Sequence, residues 1–537
     1  MRVLFFLAAL AVHNACFSKG AEVALDYDPA RGQVEAVYTF ESPTRQLRFA
    51  LGSDIRRLSW ALPAGAELSE DGTTITWKVP SITLRVGLKV LPRDGGIDRI
   101  HAPVVHFGDG QAALVFSDYL VPMSGGKLVL RPGSQVRARR VDGRGASWDA
   151  NSPATYVLLG HASTERAGAA RLTFDAALPR WIQDRIRSTS QRLLEQYAIE
   201  YDRRPATAPW VLATRDASSL PGPAFRGERL DDLIRLNFIG PSWAAPTEGL
   251  LRTIDAFLAH EFHHLWTNQL WQPGAGTHFW VHEGGSDAAA AAVLVRAGLA
   301  TREQYSQDLS RSLTACAAAR GDTLASKLEA GGRVPYHCGA ALFFLQAAWN
   351  GGAPDASALT VWREAFRRSG PNGRYAVADL FPEAPGPSTL SQFVRGSARW
   401  EQLSLAAQQA GLVRAAGEED LRDPQVAPFA LEELVFSAVK ADCGGAISVG
   451  YENLVFTIFP LESCRTIKET RVVSHLGGHA MAQDPTQAVD YAIASCGQSA
   501  SLELSDKEGR HTLTLPCPAT RLSASKVLLP TPRSPRP

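Results

Sequence analysis

His260-Glu261-Phe262-His263-His264, followed at a distance by Trp280-Val281-His282-Glu283-Gly284-Gly285, decides how this chain is read. The first five residues are an H-E-x-x-H motif. A spacing of four puts His260 and His264 on one face of a helix, where both imidazoles can grip a single zinc ion. Glu261 stands one step round the same helix, in place to act on a water beside that metal. Glu283 lies 19 positions beyond His264. It is expected to open a second helix and add a carboxylate ligand, leaving a fourth position free. Four protein ligands make a closed, structural zinc site, whereas three with an open position make a catalytic one.

With 13 histidines in 537 residues, the bare pattern can arise by chance. The added Glu283, in an aromatic-x-x-Glu-Gly context, makes it specific. With these residues the chain resembles the gluzincin metallopeptidases. It is closest to the glycyl aminopeptidase family and carries alanyl/leucyl aminopeptidase-like motifs. Trp280-Val281-His282-Glu283-Gly284 is similar to their W-x-x-E-G segment. His264-Leu265-Trp266-Thr267-Asn268 with Pro273 looks like the glycyl pattern, and Pro335-Tyr336-His337-Cys338-Gly339 is similar to a Y-x-x-G segment.

The resemblance implies Zn2+ held by His260, His264 and Glu283, with Glu261 as general base and the Tyr336 hydroxyl on the developing oxyanion. Asp287, four residues after Glu283, corresponds to an E-x-x-x-D aspartate that fixes a zinc-bound histidine; an ordinary solvated carboxylate is the alternative. His263 and His282 point elsewhere on their helices and are left out of the ligand set. One departure stands out. The aminopeptidases carry a G-x-M-E-N stretch whose glutamate holds the substrate amine, and residues 225–240 contain none. Glu228, Asp231 and Asp232 are the candidate substitutes. The expectation is therefore zinc-dependent peptide-bond hydrolysis of aminopeptidase-like character. The alternatives are an endopeptidase or other zinc hydrolase of the cell envelope and, in a different class, an inactive peptidase-like binding protein.

Composition agrees with a globular, multidomain chain: 45% apolar, 20% charged, net charge +1. So balanced a charge offers no basic footprint for nucleic acid. Arg2 followed by the apolar run Val3 to Val12 reads as a signal peptide over residues 1–21, too short to span a bilayer. Asn14-Ala15-Cys16 also admits a lipid anchor at Cys16, although His13 is a poor residue for that motif. Six further cysteines suggest disulfides and an exported protein, periplasmic or secreted. Cys316 and Cys338 are expected to pair and brace the Tyr336 segment. Cys443, Cys464, Cys496 and Cys517 leave three pairings open.

The expected fold is multidomain α+β. Alternating patterns such as Val34, Ala36, Tyr38 and Phe40 predict an N-terminal β-sandwich over 22–170. His101 and His106 within it are read as ordinary packing or loop residues. A thermolysin-like, mostly helical catalytic domain is expected over 171–415. There the histidine helix should begin after Thr247, the second helix should open near Glu283, and Asn237 to Gly240 should form a sheet edge. Beyond Pro424 the texture returns to strands around one helix, resembling a PDZ-like module over 425–525. A proline-rich tail, 526–537, follows.

Overall fold

The computed structural model describes residues 21–49, 54–89, 102–121, 128–132, 138–140, 147–148, 154–160, 162–205, 207–216, 224–274, 277–318, 323–329, 333–350, 354–370, 373–382, 390–395, 398–415, 418–423, 426–444, 449–452, 454–518 and 528–530. The expected signal peptide up to Gly20, Cys16, His101, residues 383–389 and most of residues 526–537 lie outside them.

The chain divides into two compact units, residues 1–162 and 163–537. Among the described residues the first holds two β-sheets. One is built on the antiparallel strands Ala21–Asp28, Gln33–Arg48 and Thr74–Leu88. The other is built on Val104–His106, Ala112–Phe116 and Tyr156–Gly160. Alternate residues of both sheets, among them Val23, Leu25, Ala36, Val86, Val115 and Val157, share one core. This is the period-two pattern of a β-rich, sandwich-like layer pair. His106 packs against Tyr27, as an ordinary core-side histidine does.

The second unit opens with a five-stranded sheet in the order Thr164–Ala167, Ala170–Phe174, Trp210–Asp216, Leu233–Ile239, Ala224–Leu230. Leu233–Ile239 is buried along its whole length, because it is flanked on both sides by paired strands. The expected edge at Asn237 to Gly240 is therefore corrected: the edge strand is Ala224–Leu230. A tight hairpin through Asp231, whose φ is +53°, turns it back on its neighbour.

Helix Arg180–Tyr201 crosses this sheet and packs beside the histidine helix, Glu248–Leu265. Two polar ties fix the relation between these helices. Asp255, buried at 1% exposure, accepts from Arg185 and from the Thr189 hydroxyl at 2.7 Å. The Tyr197 hydroxyl donates to the Ala259 carbonyl at 2.8 Å. As the sequence suggests, Thr247 caps the histidine helix, its hydroxyl accepting from the Leu250 amide. The helix ends in one π turn, Trp266–Leu270, a form often found at functional sites.

The glutamate helix runs Phe279–Arg296, so it opens four residues before Glu283 and places that residue in its second turn. The tyrosine helix runs Val334–Trp349, with Pro335 in its first turn. These two helices cross closely at Gly284 and Gly339. A Cβ on Gly284 would stand 2.5 Å from the Gly339 Cα. Buried Phe343, Trp362 and Phe381 then fill the space behind the crossing.

Residues beyond 424 hold a helix more than the strands around one helix that the sequence suggests. Ala427–Asp442 is a helix, because Ala430, Leu431, Leu434, Val435 and Ala438 recur at helical spacing and bury one face. It shares a second core with strands Val455–Ile458, Ser501–Ser505 and Thr512–Pro516 and helix Pro485–Gln498. Disulfides pair Cys316 with Cys338, Cys443 with Cys464, and Cys496 with Cys517. In the tail, Leu528–Pro530 pairs with Val413–Ala415. Among the described residues no helix is long and apolar enough to cross a membrane.

Candidate metal centre and active site

Two helices meet at the site, and each delivers its residues by helical geometry. His260 and His264 project from one face of the histidine helix, with ring centroids 4.8 Å apart. Their Nε2 atoms approach to 3.1 Å. Glu283 reaches across from its own helix, with Oε2 3.2 Å from His260 Nε2 and 3.9 Å from His264 Nε2. The three ligand atoms lie within 4.8 Å of one another. Two ring nitrogens and a carboxylate oxygen converging on one point, with few protein donors to satisfy them, form a donor set that fits zinc.

Asp287 comes to His260 from the other side: its Oδ1 lies 2.7 Å from Nδ1. That contact aims Nε2 at the centre. Arg333 supports Asp287 in turn, at 3.6 Å, and lays its guanidinium 4.2 Å from the Tyr336 ring centroid. Burial disfavours a charge on His260, but Asp287, Glu283 and Glu261 together outweigh that and raise its pKa to about 10. His264, buried and beside that charge, is held well below the usual range. Ligating imidazoles must be deprotonated, so metal binding and protonation compete at this pair.

Glu261 points into the same space. Burial pushes its carboxyl up, while His260 and Arg229 pull it back. Tyr336 stacks its ring 6.2 Å from that of His260 and turns its hydroxyl toward Glu283; burial and that carboxylate both push the phenol up, so it stays protonated. His263 and His282 lie apart from the centre. His263 bridges Ser286 at 2.9 Å and Tyr201 at 3.0 Å, and His282 Nδ1 meets the Tyr375 hydroxyl at 3.0 Å. The cluster Asp442, Cys443 and Cys464 offers no rival site, since its two sulfurs are joined in a disulfide.

With this geometry in view, solved structures give the frame. A crystal structure of an aminopeptidase N family protein from Idiomarina loihiensis is similar over 96% of this chain and 98% of its own, with a TM-score of 0.54 and 13% identity. The likeness is one of fold, end to end. Native yeast LTA4 hydrolase and its complex with bestatin also match, each with a TM-score of 0.40, 12% identity and 77% of both chains covered. No protein-family model matches the chain, and no curated protein does.

The substitutes considered for an amine-binding carboxylate do not gather at the centre. Glu228 is buried and ion-paired with Arg235, its cross-strand neighbour. Asp232 lies 3.4 Å from Arg171, and Asp231 forms the hairpin turn. What the edge strand brings to the site instead is Arg229, which faces Glu261 and Glu283. Ser286 is a second residue that motif reading missed. Its Oγ lies 3.4 Å from His264 Nδ1, the counterpart of the Asp287 contact on His260. Neither residue belongs to a spaced motif; strand-to-helix packing reveals Arg229, and helix-to-helix packing reveals Ser286.

Proposed function

We propose that this chain is a zinc-dependent peptide hydrolase of aminopeptidase-like build. The observation that carries the reading is the convergence of His260 Nε2, His264 Nε2 and Glu283 Oε2, with the Glu261 carboxylate near enough to feel the charges of His260 and Glu283. Zinc held there would supply Lewis acidity, polarising the scissile carbonyl and acidifying a water. Glu261 takes the proton of the attacking water and passes it to the leaving amine. The Tyr336 hydroxyl donates to the developing oxyanion, a role its raised pKa suits. Asp287 holds the tautomer of His260 throughout.

The three disulfides favour an exported protein, in line with a leader at residues 1–21. Within the chain we assign residues 22–170 to a β-sandwich domain, 171–415 to the catalytic domain and 425–525 to a PDZ-like module. Support for the last is its own core and its helix Pro485–Gln498 packed on short strands.

Metal analysis of the purified protein tests the proposal. One zinc per chain is expected in the wild type and none in His260→Ala. Peptide hydrolysis should vanish on chelation and return with added zinc. Hydrolysis that survives complete metal removal would sink the reading.

A further inference from the structure

The edge strand Ala224–Leu230 meets the histidine helix at Phe257. Phe225 packs edge-on to Phe257 at 5.0 Å, and Gly227 is so close to Phe257 that a Cβ there would overlap the ring. Alternate residues of a strand share a face, at roughly 6.5 Å per pair, and one helical turn advances about 5.4 Å. Two residues beyond Gly227 is Arg229, and one turn beyond Phe257 is Glu261. The same steps carry Arg229 toward Glu261, whose charge acts on its guanidinium more than any other charge does. Its Nη1 donates at 3.1 Å to the Asn268 side-chain oxygen, once that amide is turned so that its nitrogen donates to the Thr267 carbonyl. Its Nε is buried and has no hydrogen-bond partner. No carboxylate among the described residues stands within ion-pair distance of this guanidinium.

An arginine is a permanent cation with a rigid fork of donors, and its planar face matches a carboxylate in two-point geometry. A dication would offset Glu261 and Glu283 together, Arg333 offsets Asp287, and Arg171 offsets Asp232, which leaves Arg229 beside the exposed Asp231 of its own hairpin. Arg229 is half-buried, and an incompletely paired charge at such a place is costly, so a substrate anion that completes it recovers that cost. Resting on the peptide-hydrolase reading above, we propose that Arg229 makes the site select peptides bearing a carboxylate side chain next to the scissile bond. Arg229 is then a specificity residue, delivered by the same edge strand along which an extended peptide could lie.

The test uses peptides with free and with acetylated N-termini, identical except for Glu or Gln on either side of the scissile bond. Hydrolysis is measured on the wild type, Arg229→Lys and Arg229→Met. Equilibrium binding is measured calorimetrically on zinc-loaded Glu261→Gln, with and without Arg229→Met. The expected result is a Glu-over-Gln preference of at least tenfold, on the order of 1.4 kcal/mol. It should reside in KM and in binding alike. Arg229→Lys should keep part of it, and Arg229→Met should erase it. Equal handling of Glu and Gln peptides by the wild type, or a preference that survives in Arg229→Met, would overturn the inference. So would failure of every peptide to bind. Binding with the Glu preference but no turnover would sink the hydrolytic reading and leave the assignment of Arg229 standing.

Discussion

Asp287 Oδ1 lies 2.7 Å from His260 Nδ1, and this single contact decides which ring nitrogen of His260 faces Glu283. The neighbouring Ser286 stands in the same relation to His264 at 3.4 Å. Two successive residues of one helix thus orient the two histidines of the other. Replacing Asp287 by Asn keeps the shape and removes the charge. Zinc affinity, read by chelator competition, should fall about 10- to 100-fold, with little change in thermal stability. Unchanged affinity would return Asp287 to the status of a solvated carboxylate.

Tyr336→Phe removes only a hydroxyl. Zinc content should stay at the wild-type level while kcat drops by about a hundredfold or more and KM barely moves. Steady-state kinetics on one peptide suffices. Equal losses in kcat and metal content would mean that the ring, rather than the hydroxyl, matters.

Gly284 follows Glu283 and sits where the two helices touch. An added methyl would meet backbone of Gly339 and Ala340 at 2.5 to 2.7 Å, and backbone cannot step aside. Gly284→Ala should therefore cost on the order of 1–3 kcal/mol in chemical denaturation and also weaken zinc binding by displacing Glu283. A variant as stable as the wild type would show that the crossing is looser than described.

The Cys316–Cys338 disulfide closes a loop whose ends are 22 residues apart, and Cys338 is two residues from Tyr336. Replacing both cysteines by Ala should remove about 3 kcal/mol of stability, by loop-closure entropy in the unfolded chain. A fall in kcat at temperatures where the variant remains folded would show that the bridge also holds Tyr336 in place.

Much of this site was legible because helical spacing is local. His260, Glu261 and His264 announce themselves within five residues, and Glu283 and Tyr336 follow in short motifs. The paired Cys316 and Cys338 and the Thr247 cap were equally readable. Arg229 was not, since its approach to Glu261 depends on which strand forms the sheet edge. Both Leu233–Ile239 and Ala224–Leu230 carry strand-like residues, and pairing on both sides is a tertiary fact. The early start of the glutamate helix was hidden for a related reason. Phe279, more than half exposed, breaks the apolar pattern while packing edge-on to Tyr336 at the rim of the site. The helix Ala427–Asp442 was overlooked in a region where the surrounding segments are strands.

Glu261→Gln bears most directly on the claim that a zinc-held water is turned into a nucleophile by this chain. The substitution preserves size and removes the base. Zinc content and turnover of blocked and unblocked peptides should be measured side by side with the wild type. The account predicts full zinc occupancy with turnover reduced by at least about a hundredfold to ten-thousandfold on every substrate the wild type cleaves. A zinc-loaded Glu261→Gln protein that hydrolyses peptides at the wild-type rate would contradict it.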